Sequence, residues 1–391
     1  MKSYKEIDDN YVAHTYQRFD VCFDHGKGAY LYDNNGKKYL DFTSGIGVNA
    51  LGYADPTWVA AIQTQATKLA HVSNLFYSDP MLDVGQKLVS MAHAKKVFFA
   101  NSGAEANEGA IKVARKYANQ KYHKERNEII TLVNSFHGRT ITTLSATGQD
   151  HFHQDFDPFT QGFIYVEAND TNDLISKVNK HTAAIMIEIV QGEGGVLPLQ
   201  SSFLQKIQNI CDEQDILLIV DEVQTGVGRC GTLFAYEQFA LHPDIVTSAK
   251  GLGNGLPIGA VLLFEKCEDV LQYGNHGTTF GGNPIVCAGA NVVLDTLTPT
   301  FLTAVQAKGN YLFQKLAQLP HVKKVQGLGL MIGVELDTIP VAALIQKGIK
   351  QGVLFLSAKN NLRLLPPLTM TQEEIEQGIK ILETILTNWE D

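Results

Sequence analysis

Between residues 92 and 264, short apolar runs alternate with longer amphipathic runs. The apolar runs have the length of strands (KKVFFA, EIITLV, AAIMIEIV, ILLIVDE, DIVTSA and GAVLLF), and helix-like runs such as EANEGAIKVARKYANQKY and SSFLQKIQNICDEQ lie between several of them. Strands that alternate with helices pair in parallel, because each helix returns the chain to the same end of the sheet. The alternation therefore predicts an α/β fold with a doubly wound, mostly parallel sheet.

The regions on either side of this alternation have a different pattern. The N-terminal region contains GAYLYDNNGKKYLDF, in which two aromatic strand-like runs flank Asn35-Gly36, a turn signal typical of a hairpin. After about residue 290, a long helical stretch precedes short strand-like runs and a last helix. Because 391 residues exceed one small core, we expect an N-terminal segment (1–55) belonging to a small lobe, a large domain (56–290) and a small α+β domain (291–391).

Composition argues against several classes of function. The net charge is −9 and no basic tract is present, so we expect no nucleic-acid partner. No segment is apolar enough to span a bilayer and the N-terminus lacks a signal-peptide core, so we expect a cytoplasmic protein without a membrane partner. The five cysteines are scattered, and the histidines of HFHQ (151–154) have no further ligands at suitable spacing. Reduced, packed cysteines and no metal are therefore expected.

Small, polar or charged residues follow five consecutive strand-like runs. The segments after these strands are NSGAEAN, NSFHGR, QGEGG, DEVQTG and KGLGNG. In an open α/β sheet, ligands bind outside the carboxyl ends of the strands. These five segments are therefore predicted to meet along one edge of the sheet and to form a ligand site there.

The first of these segments has the features of an anion site. Backbone N–H groups of Ser102, Gly103 and Ala104 would point at an anion from the start of a helix, where the helix dipole favours negative charge. Ser102 and Glu105 also have the spacing of a capping box, which is the commoner explanation for such a motif. The two interpretations are compatible.

An acid and a lysine then suggest a cofactor. Asp221 ends an apolar run, where it either caps a helix or stabilises a protonated ring nitrogen. Lys250 lies between buried-looking residues and glycines, and a partly desolvated lysine is an amine nucleophile. Together with a phosphate cradle, these are the groups that pyridoxal phosphate (PLP) requires, with Lys250 in a Schiff base. The glycines of GLGNG lack the dinucleotide-binding spacing and precede Pro257.

Two arginines are candidates for binding substrate carboxylates. Arg139 and Arg363 lie beside small or apolar residues, where a structural salt bridge is the commoner explanation. Beside a Schiff-base lysine, they instead suggest bidentate contacts to carboxylates. Glu193, between glycines, could neutralise one arginine when no substrate carboxylate is bound.

Five motifs in one order and spacing identify the family. With NSGAEANEGAIKVAR, SFHGRT, DEVQTGVGR, SAKGLGNGLPIGA and HGTTFGGNP, the chain resembles the class III aminotransferases of the fold-type I PLP enzymes. The resemblance extends from HTYQRF to LRLLPPLT, nearly the whole chain. Within the family, KKYLDFTSGIGVNALGY and LAHVSNLFYSDP resemble the acetylornithine aminotransferase branch.

The resemblance implies a role for each site residue. Lys250 binds the cofactor and moves a proton, Asp221 pairs with the pyridine nitrogen and Phe136 stacks on the ring. Further cofactor contacts are Ser102, Gly103, Ala104, Glu222, Val223, Gln224 and, from a partner subunit, Thr279. Substrate contacts are Arg139, Thr278, Arg363 and its screening Glu193, with Tyr16 and Asn74 as further pocket residues. The shared site implies a homodimer.

The branch implies amino transfer from N-acetylornithine to 2-oxoglutarate in arginine biosynthesis, but some positions depart from the family pattern. GYADP and TYQRF replace the usual GHxHP and TYGRF. Ornithine δ-aminotransferases carry a tyrosine near Gly45-Ile46, and its absence here favours an acylated donor. Ornithine or 4-aminobutyrate aminotransferase is the nearest alternative. A non-catalytic regulator is a further alternative, but it would have lost one of Lys250, Asp221 or Arg363, and all three are present. A nicotinamide-dependent oxidoreductase is supported only by GLGNG and the α/β pattern.

Overall fold

The N-terminal part of the described chain begins with an exposed helix and continues into three antiparallel strands of a four-stranded sheet. The computed structural model describes residues 4–389. The first elements are α1 (Tyr4–Tyr11), β1 (Phe23–Lys27), β2 (Tyr30–Asp33) and β3 (Lys38–Asp41). Strands β2 and β3 pair antiparallel, with Gly36 at φ 80° in the turn between them. The predicted hairpin is therefore confirmed.

A single helical turn, α2 (Ser44–Gly47), has left-handed backbone throughout. The φ angles are 39° at Ser44, 63° at Gly45, 67° at Ile46 and 72° at Gly47. Left-handed backbone costs about 1–2 kcal/mol for each residue that is not glycine. The surrounding protein holds the turn, since Ser44 Oγ donates to the Leu365 carbonyl and accepts from Arg229 Nη2 at 3.4 Å.

The GYADP segment, which departs from the family pattern, begins the next helix. Asp55 Oδ1 accepts hydrogen bonds from Thr57 N at 3.0 Å and Trp58 N at 2.9 Å, so it caps α3 (Pro56–Lys68). Tyr53 Oη donates to Asp41 Oδ2 at 2.7 Å. Tyr53 and Asp55, which stand where the family pattern GHxHP has histidines, thus both form hydrogen bonds within the fold. Helix α4 (Asp79–Ala92) follows.

The large domain is built on a seven-stranded sheet. Its strands are β4 (Lys96–Ala100), β5 (Glu128–Leu132), β6 (Phe163–Val166), β7 (Thr182–Ile187), β10 (Leu217–Asp221), β11 (Ile245–Ser248) and β12 (Gly259–Leu263), and a separate short pair is β8 (Val190–Gln191) with β9 (Leu197–Pro198). The order is β4-β12-β11-β10-β7-β5-β6, and β12 runs antiparallel to both neighbours while the others are parallel. The predicted mostly parallel sheet is confirmed.

Helices cover both faces of this sheet. They are α5 (Gly103–Lys121), α6 (Ile141–Ala146), α7 (Thr171–Lys177), α8 (Ser201–Gln214) and α9 (Pro284–Thr296). Alternate residues of β10 enter two separate apolar cores, Leu218 and Val220 in one and Leu217 and Ile219 in the other. The first core also contains apolar residues of α8 and the second those of α5. This two-sided burial is what a doubly wound sheet requires.

The C-terminal part forms a second sheet with its own helices. Its elements are α10 (Pro299–Leu316), β13 (Val322–Leu328), β14 (Met331–Leu336), α11 (Val341–Gln351), β15 (Val353–Leu354), β16 (Leu356–Ala358), β17 (Asn361–Leu364) and α12 (Gln372–Thr387). The order is β13-β14-β17-β16, all antiparallel, whereas β15 pairs in parallel with β3. That pairing joins the N-terminal strands to the C-terminal part, as the assignment of residues 1–55 to the small lobe requires. The boundaries at residues 55 and 290 stay a proposal.

Within residues 4–389, no single helix is long and apolar enough to cross a membrane. Only α9 and α10 counted as one segment have sufficient length and apolar character, and the two helices are bent by 76° at their junction.

Candidate functional site

A cavity of about 440 Å³ lies where the carboxyl ends of five strands meet. Its wall includes Asn101, Ser102, Gly103, Ala104 and Asn107 after β4, Phe136, His137, Gly138 and Arg139 after β5, Glu188 after β7, Asp221, Val223 and Gln224 at β10, and Ala249 and Lys250 after β11. Four of the five predicted segments thus line the cavity, whereas QGEGG does not, and Glu188 is the residue that lines it after β7. The loop Gly255–Ile258 and Val48, next to the left-handed turn, complete the wall.

The N-terminus of α5 opens onto this cavity. Ser102 Oγ accepts from Glu105 N at 3.2 Å, and Glu105 Oε2 accepts from Asn101 N at 2.6 Å. The capping interpretation therefore holds, and the first-turn amides of Gly103 and Ala104 remain without helical partners. A Cβ on Gly103 would lie 2.6 Å from Val223 Cγ1, so this position requires glycine. The helix start can accept an anion.

Asp221 is buried at the end of β10 and is held by three donors. Its Oδ2 accepts from Asn107 Nδ2 at 2.7 Å and from His137 Nδ1 at 2.8 Å. Its Oδ1 accepts from Val223 N at 3.0 Å. A buried carboxylate requires such donors, and here they fix the Asp221 side chain at the cavity wall.

His137 and Asn107 form a buried network around Asp221 that the sequence did not reveal. Asn107 Nδ2 also donates to the His137 carbonyl at 2.7 Å, and Thr247 Oγ1 donates to Asn107 Oδ1 at 2.7 Å. Burial lowers the pKa of His137, but the hydrogen bond and charge of Asp221 outweigh it, so the pKa is raised. His137 Nε2 is buried without a partner among residues 4–389. An asparagine inside an otherwise apolar helix face was the available signal.

Phe136 lines the cavity, and its backbone is held by a carboxyl group that the sequence analysis also missed. Phe136 N donates to Glu188 Oε2 at 3.0 Å, and Gly192 N donates to Glu188 Oε1 at 3.4 Å. Burial of Glu188 raises its pKa to about 7, against the opposing charge of His137. Glu188 thereby joins the loop of Phe136 to the loop that carries Glu193.

Lys250 begins a short 3₁₀ turn, Lys250–Gly253, directly after β11. Its ε-amine forms no hydrogen bond or ion pair with any residue between 4 and 389, and its side chain lines the cavity. Burial lowers the pKa of Lys250, and the charge of Glu193 only partly offsets this effect. A lysine with a lowered pKa has a larger fraction of neutral amine, which is the form that attacks a carbonyl.

Arg363 on β17 is buried and occupied by an internal carboxylate. Its Nη1 donates to Glu193 Oε1 at 2.5 Å and to Gln224 Oε1 at 3.4 Å. Burial would raise the pKa of Glu193, but Arg363 outweighs it, so the pKa is lowered. The pair lies behind Gln224, which lines the cavity. This ion pair is the contact that the predicted screening of Arg363 by Glu193 requires.

Arg139 is held in a different way. Its guanidinium is exposed at the cavity and forms no ion pair or hydrogen bond with residues 4–389. The guanidinium carbon lies 3.8 Å from the ring centroid of Phe152 and 5.4 Å from that of Phe136. Phe152 belongs to the HFHQ segment, whose histidines were considered only as possible metal ligands. Its aromatic residue was not recognised as part of the site.

Glu222 and Tyr16 lie apart from the cavity. Glu222 Oε2 accepts from Thr225 Oγ1 and its Oε1 accepts from Tyr236 N at 2.9 Å, in the protein interior. Its burial raises its pKa to about 7. Tyr16 is 75% exposed and lines no cavity described for residues 4–389.

Thr278, Thr279 and Asn74 line a second, larger cavity of about 1190 Å³ on the surface. Asn74 Nδ2 donates to the Gly281 carbonyl at 2.9 Å. Thr278 Oγ1 accepts from Asn101 Nδ2 at 3.1 Å, so the two cavities adjoin at Asn101. Within one chain, Thr279 does not share the cavity of Lys250.

The groups around the first cavity fit PLP. An anion-binding helix start, an unpaired lysine amine and a donor-held carboxylate are the three groups that its phosphate, aldehyde and ring nitrogen require. Val223 and Phe136 line the space between them.

Comparison with known proteins gives one consistent family. The family model for class-III aminotransferases matches residues 11–386. An acetylornithine aminotransferase from Haemophilus ducreyi is 57% identical over 385 residues, which cover 98% of each chain. The ornithine aminotransferase of Toxoplasma gondii, whose active site is partly occupied by PLP, has a TM-score of 0.93 at 33% identity and covers 98% of this chain and 94% of its own. The N-acetylornithine aminotransferase of Stenotrophomonas maltophilia has a TM-score of 0.84 at 36% identity over 98% of both chains.

Proposed function

The chain belongs to the class-III aminotransferases, and we propose that it transfers the terminal amino group of N2-acetylornithine to 2-oxoglutarate. The products are N-acetylglutamate 5-semialdehyde and glutamate, and the reaction serves arginine biosynthesis. The cofactor is PLP, which when bound supplies an aldehyde that takes up the amino group and a ring that accepts electrons from the substrate carbon.

The residues of this chain divide the work around the cofactor. The amides of Gly103 and Ala104, with Ser102, would hold the phosphate, and Asp221 would hold the ring nitrogen; all four residues line the cavity. Lys250 would hold the cofactor covalently through its ε-amine, and the same amine would move a proton to and from the substrate carbon. Its lowered pKa supports both tasks, because the neutral amine is the nucleophile and the base.

One observation supports the choice of substrates: Arg363 has a carboxylate partner within the chain, and Arg139 has none among residues 4–389. Arg139 presents free donors to the cavity, whereas Arg363 is paired with Glu193. The reacting amine of N-acetylornithine is far from its single carboxylate, which can bind Arg139 and leave the Arg363 pair intact. Glutamate has two carboxylates, and its second one must displace Glu193 from Arg363. One cavity can thus accept both substrates.

Ornithine aminotransferase is the second candidate, favoured by the likeness to the Toxoplasma gondii enzyme. Sequence identity supports the acetylated donor instead, at 57% for the acetylornithine enzyme against 33% for the ornithine enzyme. The stretch Gly45-Ile46 also lacks a tyrosine that could hold a free α-amino group.

A donor panel tests the assignment. The PLP-loaded enzyme is mixed with N-acetylornithine, ornithine or 4-aminobutyrate, and the first half-reaction is followed by the change in cofactor absorbance. We expect kcat/KM to be highest for N-acetylornithine; a tenfold preference for another donor would contradict the proposal. Lys250→Ala should have no turnover. After borohydride reduction it should release its cofactor in denaturant, whereas wild type and the exposed control variant Lys180→Ala should retain theirs.

We also propose that the enzyme is a cytoplasmic homodimer in which Thr279 contributes to the partner's phosphate site. Support comes from large apolar side chains that are exposed near the second cavity: Leu75 at 88%, Tyr77 at 89%, Tyr273 at 106% and Phe280 at 61%. Exposed apolar patches of this kind mark protein interfaces.

A further inference from the structure

The two arginines have partners of opposite chemical kind. Arg363 is paired with a carboxylate, whereas Arg139 lies over the ring of Phe152. Both arginines are proposed to bind substrate carboxylates, so the difference bears on how each one becomes available.

Phe152 is well placed to fix the position of Arg139. It ends the short 3₁₀ helix Asp150–Phe152, is half-buried, and its ring centroid is 3.8 Å from the guanidinium carbon. Its ring meets that of Phe136 at 5.9 Å with an interplanar angle of 76°. The His151 ring covers it at 3.8 Å between centroids. The aromatic ring that receives the cation is therefore itself packed on two sides.

An aromatic partner leaves the hydrogen-bonding capacity of a guanidinium intact. A cation–π contact uses the face of the planar group, whereas its five N–H donors project from the edge. A carboxylate partner would occupy two of those donors and would compete with the substrate. Arg139 is thus held in place while all its donors stay available to an incoming carboxylate.

We propose that Phe152 is a positioning residue that orients Arg139 for the carboxylate of the amino donor. This inference rests on the proposed function, and it adds the residue that prepares the donor-binding arginine. An oriented arginine loses less side-chain entropy when the substrate binds, so the ring raises affinity without touching the substrate.

Binding of a non-reacting analogue tests the proposal directly. N-acetylnorvaline has the carboxylate and acetamido group of N-acetylornithine but no terminal amine, and its dissociation constant is measured by calorimetry on the PLP-loaded enzyme. Phe152→Leu should raise this constant about 3- to 10-fold, the range of a cation–π contact. Phe152→Tyr, which keeps the aromatic face, should remain within about twofold of wild type.

A donor without the carboxylate distinguishes a loss of Arg139 positioning from general damage to the active site. N-acetyl-1,4-diaminobutane is N-acetylornithine without its carboxylate, so its half-reaction should be slow in wild type and unchanged in Phe152→Leu. For N-acetylornithine, Phe152→Leu should raise KM about 3- to 10-fold with kcat changed less than twofold. Phe156→Leu, at an exposed position of the same loop, is the matched control and should leave both donors unaffected.

A double-substitution cycle completes the test. In an Arg139→Met background, Phe152→Leu should have no further effect on the affinity for N-acetylnorvaline. An unchanged dissociation constant in Phe152→Leu, or equal losses with both donors, would overturn the role of Phe152. Failure of wild type to react with N-acetylornithine would instead overturn the proposed function, so the two failures are distinguishable.

Discussion

Three buried carboxyl groups, Asp221, Glu188 and Glu222, have different hydrogen-bond partners. Asp221 has a histidine and two further donors, and Glu188 has two backbone donors next to that histidine. Glu222 is buried with the Thr225 hydroxyl and the backbone donors of Ala235 and Tyr236, and it has no ion pair within residues 4–389. Asp221 is the last residue of β10 and Glu222 follows it, and the two adjacent side chains enter different surroundings.

Replacement of Glu222 tests this difference. In the folded protein its pKa is raised to about 7 from the usual 4.5, so between these pH values the folded state binds more protons than the unfolded state. The stability that Glu222 contributes is therefore present at low pH and is lost as the pH rises from about 4.5 through 7. Relative to wild type, Glu222→Gln should gain up to about 3 kcal/mol over that window, as measured by urea unfolding.

The same variant addresses the sequence prediction that Glu222 contacts the cofactor. Glu222→Gln should bind PLP as tightly as wild type, whereas Asp221→Asn should bind it more weakly. A marked loss of PLP affinity in Glu222→Gln would favour the original prediction over the interior placement.

At the scale of elements, the long apolar and amphipathic runs allowed strands and helices to be predicted. All six predicted strands of the large sheet are present, and α8 (Ser201–Gln214) has the predicted bounds. Strand β6 was not predicted because FIYV is a short edge strand whose first three residues are only half-buried. An edge strand has one neighbour and therefore a weaker apolar pattern.

The supporting residues of the site could not be predicted, for a different physical reason. Asn107 and Asp221 are 114 positions apart in sequence, and each looks locally like an ordinary helix or cap residue. Their pairing depends on how α5 packs against β10, which no local pattern encodes. The family motifs supplied the residues that contact the ligand, but not those that hold them.

The start of α3 allows a prediction about an element that departs from the family pattern. Asp55→Ala removes the side-chain acceptor for two first-turn amides and should reduce the free energy of unfolding by about 1 kcal/mol. Because Asp55 acts on the helix, KM for N-acetylornithine should not change. Asp55→Ser keeps an acceptor and should retain most of the stability; a large rise in KM in Asp55→Ala with unchanged stability would place Asp55 in the substrate path instead.

At the scale of the whole molecule, a dimer would explain why the two cavities adjoin. Thr279 and Asn74 line a surface cavity surrounded by exposed apolar side chains, next to the start of α5. A second copy seated there would cover the apolar surface and bring its own threonine towards the phosphate site. An isologous dimer of this kind creates two equivalent shared sites.

Subunit mixing tests the shared site. Lys250→Ala and Thr279→Asp should each be inactive alone, the second because its charge repels the phosphate. After co-expression, random pairing makes about half of the dimers mixed, and each mixed dimer has one intact site, so roughly a quarter of wild-type activity should return. Light scattering should give twice the chain mass of 43.0 kDa. If Thr279 served its own chain, the mixture would stay inactive.

The left-handed turn at Ser44–Gly47 has a consequence for how this enzyme can evolve. Position 46, near the point where a tyrosine would mark a donor with a free α-amino group, already holds a β-branched residue at φ 67°. Any replacement there other than glycine starts from the same unfavourable backbone, and Gly45 and Gly47 on either side tolerate few substitutions. The mutational routes from one donor class to another through this turn are therefore few.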